Sequence, residues 1–310
     1  MSARFAVLCP GQGSQHPGMF DMLRADARGD HIVQEQALDT RLGRPLDEIL
    51  HDPQLLFANR HAQPLIVAAG LAAWRMLREE LPAPTLVAGY SIGELTAYGV
   101  AGALPGNDAI DLAVARAAYM DACLKHAPHQ GLMSVGGIEA GEAQELLRRH
   151  GAFVAIATGF DTLIAGGRSD DLLAAQSELE GIGGRTGILP VGIASHTALM
   201  EPALAPFTAA LDAADFHEPA CTVLAGVSGG EIHDVSSARS TLAQQLTHTI
   251  RWSSCMDACA ERGISVALEL GPGSALSRML RERHPHIECR SVSDFRSLAG
   301  VLNWLRSRLD

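Results

Sequence analysis

The first 125 residues alternate between short apolar runs and longer segments in which apolar residues recur with helical periodicity. The run Phe5–Cys9 predicts a first strand, and residues 85–89 predict a second strand that leads directly into a helix. Helical periodicity covers residues 18–28, 31–39 and 63–81. Strands that alternate with helices in this way are typical of an α/β fold.

The pattern becomes shorter and more regular between about residues 130 and 192. It predicts, in order, a strand at 132–138, a helix at 140–149, strands at 152–157 and 162–166, a helix at 169–180 and a strand at 186–191. The order βαββαβ is that of a ferredoxin-like unit. Residues 128–195 are therefore predicted to form a small subdomain that is inserted into a larger one.

The α/β pattern resumes after this unit. Helices are predicted at 200–213, 236–248, 253–262, 274–283 and 294–309, and strands at 221–225 and 266–269. Residues 1–127 and 196–310 are therefore predicted to form the large subdomain together.

Composition narrows the classes of function. The chain has 310 residues, of which 47% are hydrophobic, and a formal net charge of −11. This charge argues against nucleic acid or an anionic membrane surface as a partner, because both attract basic proteins. The longest apolar stretch, Pro64–Trp74, is too short for the ~20 residues of a membrane-spanning helix. The start of the chain is predicted to be a strand rather than a signal peptide, so a cytoplasmic location is expected.

The cysteines and histidines do not have metal-ligand spacing. Six cysteines are scattered without a Cys-x-x-Cys pair, and no His-Glu-x-x-His motif occurs. Reduced, buried thiols and no metal site are expected.

The segment with the clearest chemical character is Gly89-Tyr90-Ser91-Ile92-Gly93, which lies between a predicted strand and a predicted helix. Gly-x-Ser-x-Gly in this setting predicts a nucleophile elbow, in which a tight turn exposes the serine hydroxyl. The fold class predicted is thus α/β, with an α/β-hydrolase-like large subdomain and an inserted ferredoxin-like (βαββαβ) small subdomain.

Two further segments fit a serine nucleophile, which needs a base and hydrogen-bond donors for an oxyanion. His196 lies where the small subdomain is predicted to rejoin the large one, a usual place for a cleft. The segment Pro10–Gln15 follows the first strand and is glycine-rich. Taken alone, His196 also fits a residue at the start of a helix, and Pro10–Gln15 also fits an ordinary glycine turn.

The motifs in combination resemble the malonyl-CoA:acyl-carrier-protein transacylases over nearly the whole chain. The resemblance rests on Pro-Gly-Gln-Gly-Ser-Gln at 10–15, Gly-Tyr-Ser-Ile-Gly-Glu at 89–94, Arg116, Ser-His-Thr-Ala-Leu-Met at 195–200, Gln-Gln-Leu at 244–246 and Glu-Leu-Gly-Pro-Gly at 269–273.

This resemblance implies roles for the catalytic residues. Ser91 would be acylated, and His196 would act as general base and then as general acid. The backbone N–H groups of Gln12 and Ile92 would form the oxyanion hole. The backbone carbonyl of Gln245, rather than a carboxylate, would orient the histidine.

The resemblance also implies the substrates. Arg116 would bind the free carboxylate of the malonyl group through parallel N–H bonds. Malonyl-CoA would be the donor, the phosphopantetheine-type arm of an acyl carrier protein would be the acceptor, and no cofactor would be bound. A surface ion pair of Arg116 with Asp111 or Asp121 is the structural alternative. A slightly larger acyl group such as methylmalonyl is not excluded.

Departures from the common pattern indicate a subfamily. Tyr90 stands where the elbow usually has histidine, and His248-Thr249 replaces the usual Asn-Pro. Gly-Tyr-Ser-Ile-Gly-Glu at 89–94, together with Ser-Asp-Phe-Arg at 293–296, resembles the epsilon subunit of bacterial malonate decarboxylase. That subunit would load malonyl onto the carrier subunit of the decarboxylase, whose other subunits would then be partners.

Three alternatives remain open on the sequence. A malonyl-CoA:acyl-carrier-protein transacylase of fatty-acid or polyketide synthesis differs only in its carrier. A serine esterase or thioesterase would share the elbow, but its acid should lie between serine and histidine in the chain. Asp161 and Asp170 lie there, in the predicted small subdomain and poorly placed for His196. A non-catalytic subunit would tolerate the loss of Ser91 or His196, yet both are present.

Overall fold

The computed structural model describes residues 4–309. Its strands are β1 (Phe5–Cys9), β2 (Leu86–Gly89), β3 (Gln130–Gly136), β4 (Phe153–Ala157), β5 (Thr162–Arg168), β6 (Arg185–Ile188), β7 (Thr222–Leu224), β8 (Glu231–Ile232), β9 (Ile250–Arg251), β10 (Val266–Glu269) and β11 (Glu288–Ser291).

The α-helices alternate with these strands. They are α1 (Asp21–Arg24), α2 (Ala27–Glu35), α3 (Leu38–Leu42), α4 (Leu46–His51), α5 (Pro53–Phe57), α6 (Asn59–Leu77), α7 (Gly93–Val100), α8 (Gly106–Cys123), α9 (Ala140–Arg149), α10 (Ser169–Gly181), α11 (Glu201–Ala213), α12 (Val235–Gln244), α13 (Trp252–Glu261), α14 (Ala275–Arg283) and α15 (Leu298–Leu309). Short 3₁₀ turns cover Arg78–Glu80, Ala198–Met200 and Val292–Asp294.

The large sheet has the strand order β11-β10-β1-β2-β7-β8. Its first five strands are parallel, and β8 pairs antiparallel with β7. Every residue of β1, β2 and β10 is buried, as expected for parallel strands whose two faces are both covered by other elements. The sheet brings the carboxyl ends of β1 and β2 together, since Cys9 pairs with Gly89.

The small sheet has the order β6-β3-β5-β4-β9. Strands β3 to β6 and helices α9 and α10 follow one another in the predicted βαββαβ order, with antiparallel pairing among the four strands. The predicted fold class is therefore confirmed. The fifth strand, β9, comes from beyond the predicted subdomain and pairs in parallel with β4. The subdomain boundaries 1–127, 128–195 and 196–310 stay a proposal.

Several predicted boundaries were wrong for local reasons. The predicted helices 18–28 and 31–39 are instead α1, α2 and α3, because the Asp26 side chain caps a new helix by accepting from the backbone N–H groups of Arg28 and Gly29. The predicted helix 236–248 ends at Gln244. The predicted last helix begins only at Leu298, after the 3₁₀ turn.

Two helices of the large subdomain are central to the site. The core helices α6 and α8 lie against each other, and α7 packs on both. The inner face of α8 is buried and includes Arg116, although it is charged. Within the part of the chain that the structure describes, no helix combines the length and apolar character needed to cross a membrane.

Candidate active site

Ser91 lies in a tight turn between β2 and α7. Its φ of 56° is in the left-handed region, which residues other than glycine seldom adopt. The flanking glycines allow the turn to be compact: a Cβ on Gly89 would lie 2.3 Å from the backbone nitrogen of Glu94, and a Cβ on Gly93 would lie 2.1 Å from the carbonyl oxygen of Cys9. The geometry is that of the predicted elbow, with strand, turn and helix in order.

Gly93→Ala should disrupt this turn. The added methyl would clash with backbone at both Cys9 and Pro10, which cannot rotate away as a side chain can. We expect the free energy of unfolding to fall by about 2–3 kcal/mol, together with a loss of activity. Urea denaturation measures the first effect. Gly181→Ala is the matched control because nothing lies within 4 Å of a Cβ there; an equal effect of both substitutions would contradict the clash.

The structure brings Ser91 and His196 together although 105 residues separate them. Ser91 Oγ lies 2.8 Å from Nε2 of His196, whose Nδ1 lies 2.5 Å from the backbone oxygen of Gln245. A carbonyl oxygen can only accept, so Nδ1 carries the proton and Nε2 accepts from the serine hydroxyl. The backbone N–H of His196 also donates to the carbonyl of Leu246, and its φ is 64°.

The electrostatic setting keeps His196 neutral. The pKa of His196 is lowered to about 3, chiefly by burial and then by the nearby charge of Arg116, while the hydrogen bond to Gln245 partly opposes both effects. At neutral pH the ring is therefore neutral, with its proton on Nδ1, and its Nε2 can accept a proton from Ser91. Because the imidazole of His196 is a weak base, it takes the proton only while Ser91 attacks a carbonyl. The serine hydroxyl becomes more acidic during that attack.

The predicted oxyanion loop lies against the elbow. A Cβ on Gly11 would be 2.8 Å from the backbone oxygen of Tyr90 and 3.7 Å from the Cβ of Ser91. Within residues 4–309, the backbone N–H groups of Gln12 and Ile92 donate to no other group. They are thus free to bind an oxyanion, and their participation stays a prediction.

Arg116 is buried, with 2% of its surface exposed. Its Nη1 donates to Oε1 of Gln63 at 2.7 Å, and its Nη2 donates to Oε1 of Gln245 at 3.0 Å. The surface ion pair considered above is excluded, since Asp111 pairs with Arg41 and the side chain of Asn59 donates to Asp121. Both partners of the guanidinium are neutral amides, so these bonds orient it without neutralising its charge.

Gln245 connects the parts of the site. Its backbone oxygen accepts from His196, its side-chain oxygen accepts from Arg116, and its Nε2 donates to Glu94 Oε2 at 2.6 Å and to the backbone oxygen of Ser91 at 3.2 Å. The sequence predicted only the backbone contact. The contributions of Gln63 and Glu94 were missed; the available signals were an amide within the apolar segment 62–74 and a carboxylate directly after the elbow glycine.

Tyr90 fills space beside the elbow. Its ring packs edge-on against Trp252, with ring centroids 5.3 Å apart. This contact gives the residue that departs from the common pattern a structural role. No group of three or more His, Cys, Asp or Glu side chains suited to a metal ion occurs between residues 4 and 309.

An elbow serine bonded to a neutral histidine, which a backbone carbonyl holds in place, is an arrangement that can form and transfer an acyl ester. The chain belongs to the acyl transferase family, whose domain model matches residues 7–299, and to its malonyl CoA-acyl carrier protein transacylases.

The relatives that support this assignment cover almost the full chain. The malonyl CoA-acyl carrier protein transacylase of Mycobacterium tuberculosis (strain ATCC 25618 / H37Rv) is 30% identical over 96% of this chain and 99% of its own length. A malonyl-transacylase solved with its type II PKS acyl-carrier protein has a TM-score of 0.89 at 26% identity, covering 97% of this chain and 99% of that one. Polyketide synthase GfsA of Streptomyces halstedii is 33% identical over 89% of this chain, which spans only 4% of that synthase.

Proposed function

We propose that this enzyme transfers a malonyl group from malonyl-CoA to the prosthetic-group thiol of an acyl carrier protein through an ester on Ser91. The observation that carries the proposal is the buried guanidinium of Arg116, oriented by two amide oxygens and linked through Gln245 to the histidine. A buried cation without a direct anionic partner fits an acyl group that carries a carboxylate.

The first half of the reaction forms the ester. Ser91 Oγ attacks the thioester carbonyl while Nε2 of His196 takes its proton, and the N–H groups of Gln12 and Ile92 stabilise the oxyanion. The tetrahedral intermediate then expels the CoA sulfur, which receives the proton from His196. The carrier thiol repeats these steps in the opposite direction, with His196 as base and Ser91 as leaving group.

The partner of His196 Nδ1 is a backbone carbonyl rather than a carboxylate, and this fits a transferase. Because Nδ1 of His196 donates to a neutral carbonyl, the imidazolium is less stabilised than in a Ser-His-Asp triad. Water is therefore weakly activated, and the ester can persist until a thiol arrives. All of these steps use side chains and backbone groups of the protein, and the reactive arm belongs to the acceptor.

The identity of the carrier protein that accepts the malonyl group is a separate part of the proposal. The relatives named above are transacylases and a polyketide synthase, which favours a carrier protein of fatty-acid or polyketide synthesis. The carrier subunit of malonate decarboxylase is the second candidate, supported by Tyr90 and Ser293–Arg296. Both features have structural uses, however, since Tyr90 packs on Trp252 and Ser293 Oγ accepts from the backbone N–H of Gly273.

Intact-protein mass after brief exposure to malonyl-CoA tests the proposal. We expect a malonyl-sized increment that a carrier thiol discharges much faster than water does. Steady release of malonate without an increment would indicate a hydrolase instead. Offering a fatty-acid carrier and a decarboxylase carrier to the isolated malonyl-enzyme then distinguishes the two acceptors, because the true carrier should discharge it at the lower concentration.

A further inference from the structure

Glu94 is a buried carboxylate beside the site that the mechanism above does not use. It is 1% exposed and lies three residues after Ser91. Its Oε2 accepts from Nε2 of Gln245 and from the backbone N–H of Gly226, at 2.6 and 3.1 Å. Its Oε1 is fully enclosed, and no group within residues 4–309 hydrogen-bonds to it. A buried, ionised carboxylate oxygen without a hydrogen-bond partner destabilises the folded protein, and taking up a proton reduces this cost in free energy.

The guanidinium of Arg116 is connected to this carboxylate through a single amide. Arg116 donates to the oxygen of the Gln245 side chain, and the nitrogen of the same side chain donates to Glu94. The two opposite charges are therefore close but not in contact. In the free enzyme Glu94 balances the buried positive charge, and the guanidinium keeps N–H groups for a ligand.

A malonyl carboxylate at Arg116 changes this balance. The pocket would then hold two anions and one cation, all out of contact with water, which is unfavourable unless one carboxylate becomes neutral. The malonyl carboxylate bonds directly to the guanidinium and keeps its charge. Glu94, one amide further away and with a free oxygen, is the group that can give up its charge.

We propose that Glu94 is the resident counter-charge of Arg116 and that it takes up a proton from solvent on Oε1 when the malonyl carboxylate binds. The inference rests on the proposed function, because it needs malonyl at Arg116. Glu94 is then a specificity-determining residue: an uncharged acyl group leaves the original pair unchanged, whereas malonyl exchanges one anion for another.

The groups around Glu94 favour this exchange. The pKa of Glu94 is raised to about 7 by burial, although the hydrogen bonds to Oε2 and the charge of Arg116 offset part of the increase. Tyr98 on the same helix and Cys255 on α13 also face it, and burial raises both of their pKa values, so they are neutral at pH 7. Among residues 4–309, Arg116 is thus the charged group that faces Glu94. Once malonyl neutralises Arg116, the pKa of Glu94 rises and a proton is bound.

Proton uptake during acylation measures the exchange directly. Wild-type enzyme at pH ~8 in weak buffer with a pH indicator is mixed with stoichiometric malonyl-CoA, and the malonyl-enzyme is quantified by intact mass. We expect about 0.5–1 proton taken up per malonyl-enzyme, with acetyl-CoA giving close to none per acetyl-enzyme. Acetyl-CoA is the matched donor because it releases the same CoA thiol.

The variant Glu94→Gln separates Glu94 from His196, the other base in the site. This variant keeps an acceptor for Gln245 and Gly226 but cannot ionise, so malonyl loading should proceed without proton uptake. In wild type, the kcat/KM ratio of malonyl-CoA to acetyl-CoA should fall by up to about tenfold per pH unit above pH ~7, because binding then requires a proton from solvent. In Glu94→Gln the ratio should not vary with pH.

The outcomes are distinct. Malonyl-enzyme formed without proton uptake, or with equal uptake in Glu94→Gln, would overturn the role of Glu94 and leave the proposed function intact. Absence of any malonyl-enzyme would overturn both. If Glu94→Gln does not fold, the comparison of malonyl-CoA with acetyl-CoA on the wild-type enzyme still tests the proposal. Equal proton uptake with the two donors would refute the protonation of Glu94.

Discussion

Replacing Ser91 with alanine should eliminate the malonyl adduct and lower transfer to the carrier by about 10⁴-fold or more. The hydroxyl is the group that bonds to His196 Nε2, and no other side-chain hydroxyl or thiol is bonded to that ring in the described structure. Intact mass gives the adduct, and radiolabelled transfer to a carrier gives the rate. Ser236, an exposed serine on α12, provides the control substitution Ser236→Ala, which should keep full activity.

The backbone of Ser91 requires a second variant. At a φ of 56° alanine is strained, so Ser91→Ala alone could lose activity through the turn rather than through the hydroxyl. Ser91→Gly removes the hydroxyl but tolerates this φ. Both variants should be inactive while Ser91→Gly keeps the wild-type melting temperature; a malonyl adduct on either would place the nucleophile elsewhere.

Arg116→Ala should produce the second largest effect, a loss of about 10²- to 10³-fold in kcat/KM for malonyl-CoA. The guanidinium is a buried cation that donates to the side chain of Gln245, and its removal leaves the malonyl carboxylate without a positively charged partner. Acetyl-CoA does not need the cation, so its loading should change far less. Competition between the two donors, read by intact mass, measures this change in preference.

Arg116→Lys is the matched control for charge. Lysine keeps a positive charge but lacks the planar fork that reaches Gln63 and Gln245 at the same time. Its malonyl preference should lie between those of wild type and Arg116→Ala. An unchanged malonyl preference in Arg116→Ala would remove this residue from the substrate site.

Local signals predicted the elbow well. Strand, Gly-x-Ser-x-Gly and helix lie within 15 residues, so periodicity and turn chemistry suffice to place Ser91. His196 has no such local signature: its place at the predicted junction of the subdomains made it a candidate, and its role as the base came from the resemblance to a family. Its left-handed backbone was not predictable, because it depends on the bonds that both its ring and its N–H make to residues 245 and 246.

The polar residues around the arginine come together only through tertiary packing. Gln63 on α6, Glu94 on α7 and Arg116 on α8 lie near one another because these three helices pack against one another. A single sequence shows each as an isolated polar residue in an apolar segment. Strand β9 escaped prediction for a different reason: two residues are too few to show alternation, and their pairing with β4 is set by a partner nearly 100 residues away.

Because β9 pairs with β4, residues 128–195 cannot be exchanged on their own between related proteins without changing this strand contact. The hydroxyl of Thr249 donates to the carbonyl of Val154 at 2.6 Å, and the N–H of Arg251 donates to the carbonyl of Gly226 at 2.7 Å. A chimaera that swaps only residues 128–195 would keep its own 249–251 segment against a foreign edge strand. A functional exchange of the small unit, by recombination or by design, must therefore replace residues 128–195 and residues 249–251 together. The segment 249–251 begins only four residues after Gln245, whose carbonyl binds His196.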